Sequence, residues 1–372
     1  MSFEASVAAN QKSMLWTPPD FFDATNLVHQ ARMDELVNTY GYKYAPKYVE
    51  LANDIAELRY PNAADEVDRQ RVREEILKMA LNYGQWFADH NTRDITQIAP
   101  DEDTHFRLLT ERNAYLRTRP EQRQLYYDAT ILTLGQSVGS VCVDSAVRSG
   151  LGRRHLLVDP DILSFMNMNR VQRKLSEVGM AKTTATANNI VQINPFVDIH
   201  LFDGGATQET LKRIFEVYVL SVVVEAMDSI HYKLIARLWA QQTKTALIMP
   251  TDVGYGATIC VERYDIEDDV VPFLGRLTDS QLEALKQTIE VIGDLKADYA
   301  LGIIGLDTLT ARMLASLIEF ERTLSGFSQL GITAQLAGSG AVNAIQRIIL
   351  GHSLPSGEYR VDDLIRMNDA LV

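Results

Sequence analysis

The sequence is poor in cysteine: Cys142 and Cys260 are the two in 372 residues. Two thiols cannot build a disulfide framework, and no C-x-x-C pair or Cys/His cluster with zinc spacing occurs. Positive charge is in deficit, since 36 Lys and Arg against 49 Asp and Glu give a formal net charge of -13. A general binder of nucleic-acid backbone needs the opposite balance. Long apolar runs are also lacking. The longest, "VYVLSVVVEAM" from Val217, is too short to span a bilayer and reads as a buried strand. The opening "MSFEASVAANQKSMLW" has no basic segment followed by an apolar core, so no secretory signal is expected. These absences lead to the expectation of a cytoplasmic protein with no nucleic-acid and no membrane partner.

What is present is an ordinary globular composition, 46% hydrophobic and 23% charged, enough for one large core or two to three sub-domains. Periodicity divides the chain into three regions. Residues 1–105 read as helical, with Tyr48, Leu51, Ile55 and Leu58, then Val72, Ile76 and Met79, at helical spacing. Short strands around "HFRLL" would complete this region. Residues 106–270 alternate β-branched runs with helical stretches: "DATILTLG", "RHLLVD", "VDIHLFD", "VYVLSVVVEAMD", "TALIMPTD" and "ATICVERYD". That is the pattern of an α/β fold with a doubly wound, mostly parallel, Rossmann-like sheet. Acidic residues recur at strand ends, the edge where such sheets bind ligands. Of these, Asp203 and Asp252 read as turn residues. Residues 271–372 return to helix. Asp279 would cap a helix carrying Leu282, Leu285, Ile289 and Ile292, and a second helix would carry Leu309, Met313, Leu317 and Leu324. The Gly-Ser-Gly of "QLAGSGAVNAIQRIILG" lacks the Lys-Ser/Thr of a phosphate loop and reads as a helix start.

The chemistry-bearing stretch begins with "LTLGQSVGSVCVDSAV", a strand, a tight turn and a helix. Gly135 permits the turn, Gly139 lets backbone approach a ligand, and Ser137 stands where a dinucleotide fingerprint has its second glycine. The helix N-terminus offers unpaired N–H groups to phosphate. Asp159, ending the next strand, is placed to hold ribose hydroxyls. This much also admits an NAD(P)- or FAD-binding oxidoreductase, or a nucleotide-binding scaffold without turnover. The residues that follow in order are Asp161 in "DPD", Asn167 and Arg170 in "MNMNR", Lys182 in "GMAK" and Asp228 in "EAMD". Hydride transfer has no evident need of this set. Cleavage of an α–β phosphoanhydride does: donors neutralise the triphosphate as pyrophosphate leaves, and a carboxylate holds Mg2+.

The ordered set "GQSVG", "DPD", "MNMNR", "GMAK", "INP" and "EAMD" resembles the signature of the ThiF/MoeB/HesA family, relatives of the ubiquitin-activating enzymes. The resemblance covers about 105–265. A narrower likeness, in "TERNAYLRTRPEQRQLYYDATILTLGQSVGS", "TDVGYGATICVERYD" and "GSGAVNAIQRIILGHSLPSGEYRVDDLI", is to a ThiF-type branch often fused to nitroreductase-like domains. The resemblance implies a fold of ubiquitin-activating-enzyme type, with an ATP-binding adenylation domain over 106–270. It implies ATP-dependent adenylation of a carboxylate on a peptide or small protein, such as a ribosomal peptide undergoing modification. Residues 1–105 would then be a docking region. Gly135, Ser137 and Gly139 would face phosphate, Asp159 and Asp161 would serve nucleotide binding, and Asn167, Arg170 and Lys182 would hold phosphates. Asp228 would hold Mg2+ at the reacting centre. A homodimer is implied, with Arg112 reaching the partner's nucleotide. Cys142 and Cys260 read as core residues rather than acyl carriers.

Overall fold

The computed structural model describes residues 16–288, 293–305, 309–319 and 322–361. Backbone contacts divide the chain into two units. The first comprises 1–122, 148–150 and 188–197, and the second 123–147, 151–187 and 198–372.

The first unit holds four strands, β1 (Asp20–Phe22), β2 (Lys43–Ala45), β3 (Gln85–Asp89) and β4 (Asp94–Ile98), in the order β1-β3-β4-β2. Its helices are α1 (Leu27–Tyr40), α2 (Tyr48–Arg59), α3 (Glu66–Met79) and α4 (Glu102–Thr110). The Asn26 side chain accepts from the Val28 and His29 N–H groups and starts α1, and left-handed Gly41 stops it. Leu51 and Ile55 pack with Val72 and Ile76, the stripes that periodicity marks. Trp86, Ala88 and Ile95 pack with Met33 and Leu36. The region is thus mixed rather than wholly helical. "HFRLL" lies inside α4 because Asp101 accepts the Thr104 N–H and caps a helix there.

After α5 (Arg119–Tyr127) come β5 (Thr130–Leu134), α6 (Val138–Arg148), β6 (Arg154–Val158), α7 (Lys182–Val191), β7 (Asp198–Phe202) and α8 (Gln208–Val217). Then follow β8 (Val222–Glu225), α9 (Ile230–Gln242), β9 (Ala246–Val253) and β10 (Gly256–Glu262). Helices α10 (Asp279–Gln287), α11 (Gly293–Ile304), α12 (Ala311–Ile318) and α13 (Gly331–Ile349) lead to β11 (Gly357–Val361). The sheet order is β11-β10-β9-β8-β5-β6-β7. Neighbours from β9 to β7 pair in parallel, whereas β10 and β11 are antiparallel. The chain runs outward from β5 to β7, then returns to β8 on the other side of β5. The gap between the β5 and β8 ends is therefore the topological switch point, where crevices form in such sheets.

Strand alternation feeds both faces. Ile131, Val222, Val224 and Ile248 pack with Ala341 and Ile345 of α13 on one side. Leu132, Leu134, Val223 and Leu247 pack with Leu211, Ile214, Ala236 and Ala240 on the other. The run read as one long strand is divided: Val217 ends α8, and Val222–Glu225 alone is strand. Residues 271–372 are not wholly helical, since β11 completes the sheet edge. Thr278 rather than Asp279 caps α10, because its hydroxyl accepts the Gln281 N–H in a capping box. Ile289 and Ile292 lie outside the described residues, and Leu324 lies beyond the end of α12 at Ile318. No helix among the described residues is long and apolar enough to cross a membrane.

The Gly-Ser-Gly segment is a further correction, for it sits in mid-helix in α13. A Cβ on Gly338 would stand 2.6 Å from Val141 Cγ1 and 2.9 Å from the Cys142 nitrogen. These glycines permit close helix packing; they make no turn. Gly338→Ala is expected to cost about 1–3 kcal/mol, the usual penalty of overpacking. Urea titration of the two proteins measures it.

Candidate active site

β5 ends at Leu134 and the chain turns at Gly135, where φ is 87°. A Cβ there would stand 2.2 Å from the Ala226 carbonyl oxygen. Ala226 N–H in turn donates to Leu134 O at 2.8 Å. The turns after β5 and β8 are thus in backbone contact, which a side chain would break. Gly139 differs from expectation. Its absent Cβ would meet Thr133 Cγ2 at 2.8 Å, so the glycine lets α6 lie against β5 rather than admitting a ligand. The Ser137 hydroxyl accepts from Arg170 Nε at 3.1 Å.

Asp159 is buried at the end of β6. One carboxylate oxygen accepts the Gln136 N–H at 2.6 Å and the other the Asp161 N–H at 2.8 Å. Burial pushes its carboxyl above the usual aspartate range, and the Lys182 charge and the two N–H groups only partly oppose this. Asp161 is exposed and receives Lys182 Nζ at 2.7 Å, with Asp159 Oδ1 at 3.9 Å from the same ammonium. Asp161 is therefore the partner of Lys182, a role the sequence did not suggest. Asn167 uses its oxygen to accept from the Ser164 N–H at 2.9 Å and hydroxyl at 3.1 Å, which closes a 3-10 turn. Its NH2 group makes no hydrogen bond with the described residues. Arg170 donates from NH1 to Met166 O at 2.9 Å and Asn169 Oδ1 at 3.0 Å. A buried ion pair of Arg173 with Asp144, at 2.6 Å, ties this segment to α6.

Asp228 follows β8 and is exposed. Its carboxylate makes no hydrogen bond or ion pair with the described residues, and Ser229 occupies the N-cap of α9. Asp228 is therefore not the helix cap. Beneath it lies a buried charge network that sequence reasoning missed. Glu225 receives Lys233 Nζ at 2.7 Å and Arg237 NH1 at 2.9 Å, and Arg237 Nε pairs with Glu262 at 2.8 Å. The Arg237 guanidinium lies 4.0 Å from the Phe273 ring centroid. Burial would push the Glu225 carboxyl up, but the Lys233 and Arg237 charges outweigh it and hold it below the usual range. Burial pushes Glu262 up, and Arg237 only partly opposes this.

A second omission is Asp252, read from sequence as a turn residue. It stands inside β9, 9% exposed. Oδ1 accepts from Gln329 Nε2 at 3.0 Å, while buried Oδ2 has no hydrogen-bond partner. Burial pushes its carboxyl up; the Gln329 hydrogen bond and Arg170 act downward and Asp228 upward. Arg170, Asp228 and Asp252 thus share one electrostatic field. Asp203 accepts from the Thr183 hydroxyl. Both cysteines are buried. Burial pushes the Cys142 thiol up to about 12 and Cys260 higher still, so neither is a thiolate nucleophile. Arg112 is exposed on a 3-10 turn, Glu111–Asn113, in the first unit.

These features define a doubly wound α/β domain with the donors Arg170 and Lys182 held beside the turns at its switch point. The chain belongs to the ThiF family, whose family model matches residues 118–368. It is 31% identical over 253 residues to the uncharacterized protein MT1398 of Mycobacterium tuberculosis, covering 68% of this chain and 34% of that protein. It is 31% identical over 173 residues to the tRNA threonylcarbamoyladenosine dehydratase of Bacillus subtilis, covering 44% of this chain and 66% of that one. The chain thus spans about a third of the first relative. The crystal structure of the Escherichia coli tRNA threonylcarbamoyladenosine dehydratase aligns with a TM-score of 0.46 at 22% identity, covering 66% of this chain and 95% of that one.

Removal of Arg237 would leave two buried carboxylates without their shared cation. Arg237→Ala is expected to cost about 3–5 kcal/mol, read by urea denaturation. Gly135→Ala, strained in φ and blocked by Ala226 O, is expected to cost about 2–4 kcal/mol by the same measurement.

Proposed function

We propose that the protein is an ATP-dependent adenylating enzyme that activates a carboxylate on a peptide or small protein, forming an acyl-adenylate and pyrophosphate. One observation carries this reading. The Gly135 turn, the Asp159 strand end, Arg170 against Ser137, and Lys182 on Asp161 all belong to one sheet edge at the switch point. The matched family and the tRNA threonylcarbamoyladenosine dehydratases among its relatives support it.

In this reading the N–H groups at the start of α6 face phosphate, and Asp159 holds ribose hydroxyls. Asn167, Arg170 and Lys182 stabilise negative charge that grows on the triphosphate as the substrate carboxylate attacks. Lys182 exchanges Asp161 for phosphate when ATP enters. The exposed, unbonded Asp228 carboxylate suits a hard cation that keeps its remaining ligands from water and phosphate. Mg2+ held there would neutralise charge and orient the phosphates. The protein's own work is positioning and electrostatics rather than covalent catalysis. Residues 1–105 serve as the docking region, and the protein acts as a homodimer in which Arg112 reaches the partner's nucleotide.

Exchange of labelled pyrophosphate into ATP tests the reading, run with a panel of peptides bearing free C-terminal carboxylates. Wild type is expected to exchange with at least one of them. Asp228→Asn and Lys182→Ala should each lose about 100-fold or more, with unchanged circular dichroism. Absence of exchange across the panel, or a tightly bound flavin or nicotinamide in the purified protein, overturns it.

A further inference from the structure

An acyl-adenylate must be consumed by a nucleophile. Resting on the adenylation reading above, the source of that nucleophile can be narrowed from the chain itself. The two cysteines of the sequence are both buried, with thiols held protonated. Neither thiol is therefore the acyl acceptor, and an amine carried by a second molecule has the chemistry to serve as one. An N–H acceptor bonding to an acyl carbon has a proton to lose, and the site must hold a group to receive it.

The order of strands indicates where that group belongs. Along the edge the sequence is β9, β8, β5, β6. Gly135 and Asp159 follow β5 and β6, and Asp228 follows β8. With the nucleotide on the β5–β6 side and the reacting centre at Asp228, the β9 side is where the acceptor arrives. The buried side chain on that side is Asp252, and its Oδ2 is unpartnered. A buried carboxylate with an unused oxygen is an expensive feature to keep without a ligand. The charged groups that act on it are Arg170 and Asp228, both already in the site.

We propose that Asp252 is the proton acceptor for an amine that attacks the acyl-adenylate. The nitrogen lone pair adds to the acyl carbon, and the bond from that carbon to the AMP oxygen breaks with its electron pair on the phosphate. The N–H proton passes to Asp252 Oδ2. Products are an amide and AMP, and no oxidant or reductant is needed. Burial raises the affinity of this carboxylate for a proton, which suits a general base. Gln329 donates to the other oxygen, and its own carbonyl accepts from Asn169 Nδ2 at 2.8 Å.

The test compares wild type, Asp252→Asn and Asp252→Ala, using a panel peptide that supports pyrophosphate exchange and propylamine as the acceptor probe. Asp252→Asn should keep exchange within about threefold while amine-dependent AMP release falls about 100-fold. Release by wild type should rise with pH along a limb that the Asn variant lacks, and formate should restore release to Asp252→Ala. Stability supplies a readout independent of substrate. A carboxyl raised by burial weakens the fold as pH climbs above the ordinary aspartate value, and fully so above its raised value. Asp252→Asn should therefore melt at or above wild type at pH 7.5, with the difference shrinking towards pH 4. Parallel loss of exchange and AMP release in Asp252→Asn would show that the residue merely balances Arg170, and would overturn the proposal. So would formate without effect. Absence of exchange in wild type instead defeats the adenylation reading, and this inference with it.

Discussion

The contact on which the site depends is the one between the two turns at the switch point. Gly135 lies against the Ala226 carbonyl, and Ala226 N–H donates to Leu134 O at 2.8 Å. Parallel strands in register hold their ends level, so what happens after the last residue is decided by the turns. Here the β8 turn has no freedom to move toward β5. Below it, Glu225 fixes the same turn twice, accepting the Met227 N–H at 3.0 Å and anchoring Lys233 and Arg237 of α9. Burying this many charges contributes little net stability, because desolvation offsets the attraction. Its yield is geometric: strand end, helix start and β10 are locked through Arg237 and Glu262, and Asp228 projects from a fixed base.

Electrostatics divides the edge by strand. The chain as a whole is acidic, at -13, yet Arg170 and Lys182 stand together near the β5 and β6 ends. Before any ligand arrives these cations are already spoken for, Lys182 by Asp161 and Arg170 by Ser137, Met166 and Asn169. In the proposed reading, an entering phosphate would meet cations held by protein groups rather than by bulk water. Such preorganisation is the usual source of electrostatic stabilisation in enzyme sites. Asp161, exposed, would give up its cation at low cost in that reading, because water can solvate the carboxylate left behind; Asp159 is held by two backbone donors.

Much of the sheet was legible because each parallel strand is a short β-branched run ending in an acid or glycine, and buried parallel strands read as continuous apolar segments. The same rule misled at Val217–Leu220, where an apolar run spans the end of α8 and the approach to β8. Composition cannot place that boundary; Tyr218 N–H bonding back to Ile214 O does. Gly338 was misread because a Gly-Ser-Gly signal is local, whereas its cause, Val141 across the helix interface, lies far away in sequence. In the site, the ordered motif from Gly135 to Asp228 was visible. Arg237, Glu262 and Asp252 were not, since each looks like an ordinary helix or strand residue until tertiary contacts bury it. In the first unit, β1 and β2 escaped notice because three-residue strands carry too few alternations to show a period.

Buried charge without full pairing is what separates Asp252 from Glu225. Glu225 sits at a strand end and is neutralised by two cations, which is the signature of a structural ion network. Asp252 sits one strand away, is nearly as buried, and is met by the Gln329 amide and its own backbone N–H rather than by a paired cation. The fold could have placed an apolar residue at that position in β9 at lower cost, as it does at Val253 and Met249. A carboxyl kept there against desolvation, within the field of Arg170 and Asp228, weakens the folded state at neutral pH. On the proposed reading, the reason to tolerate that cost is chemical.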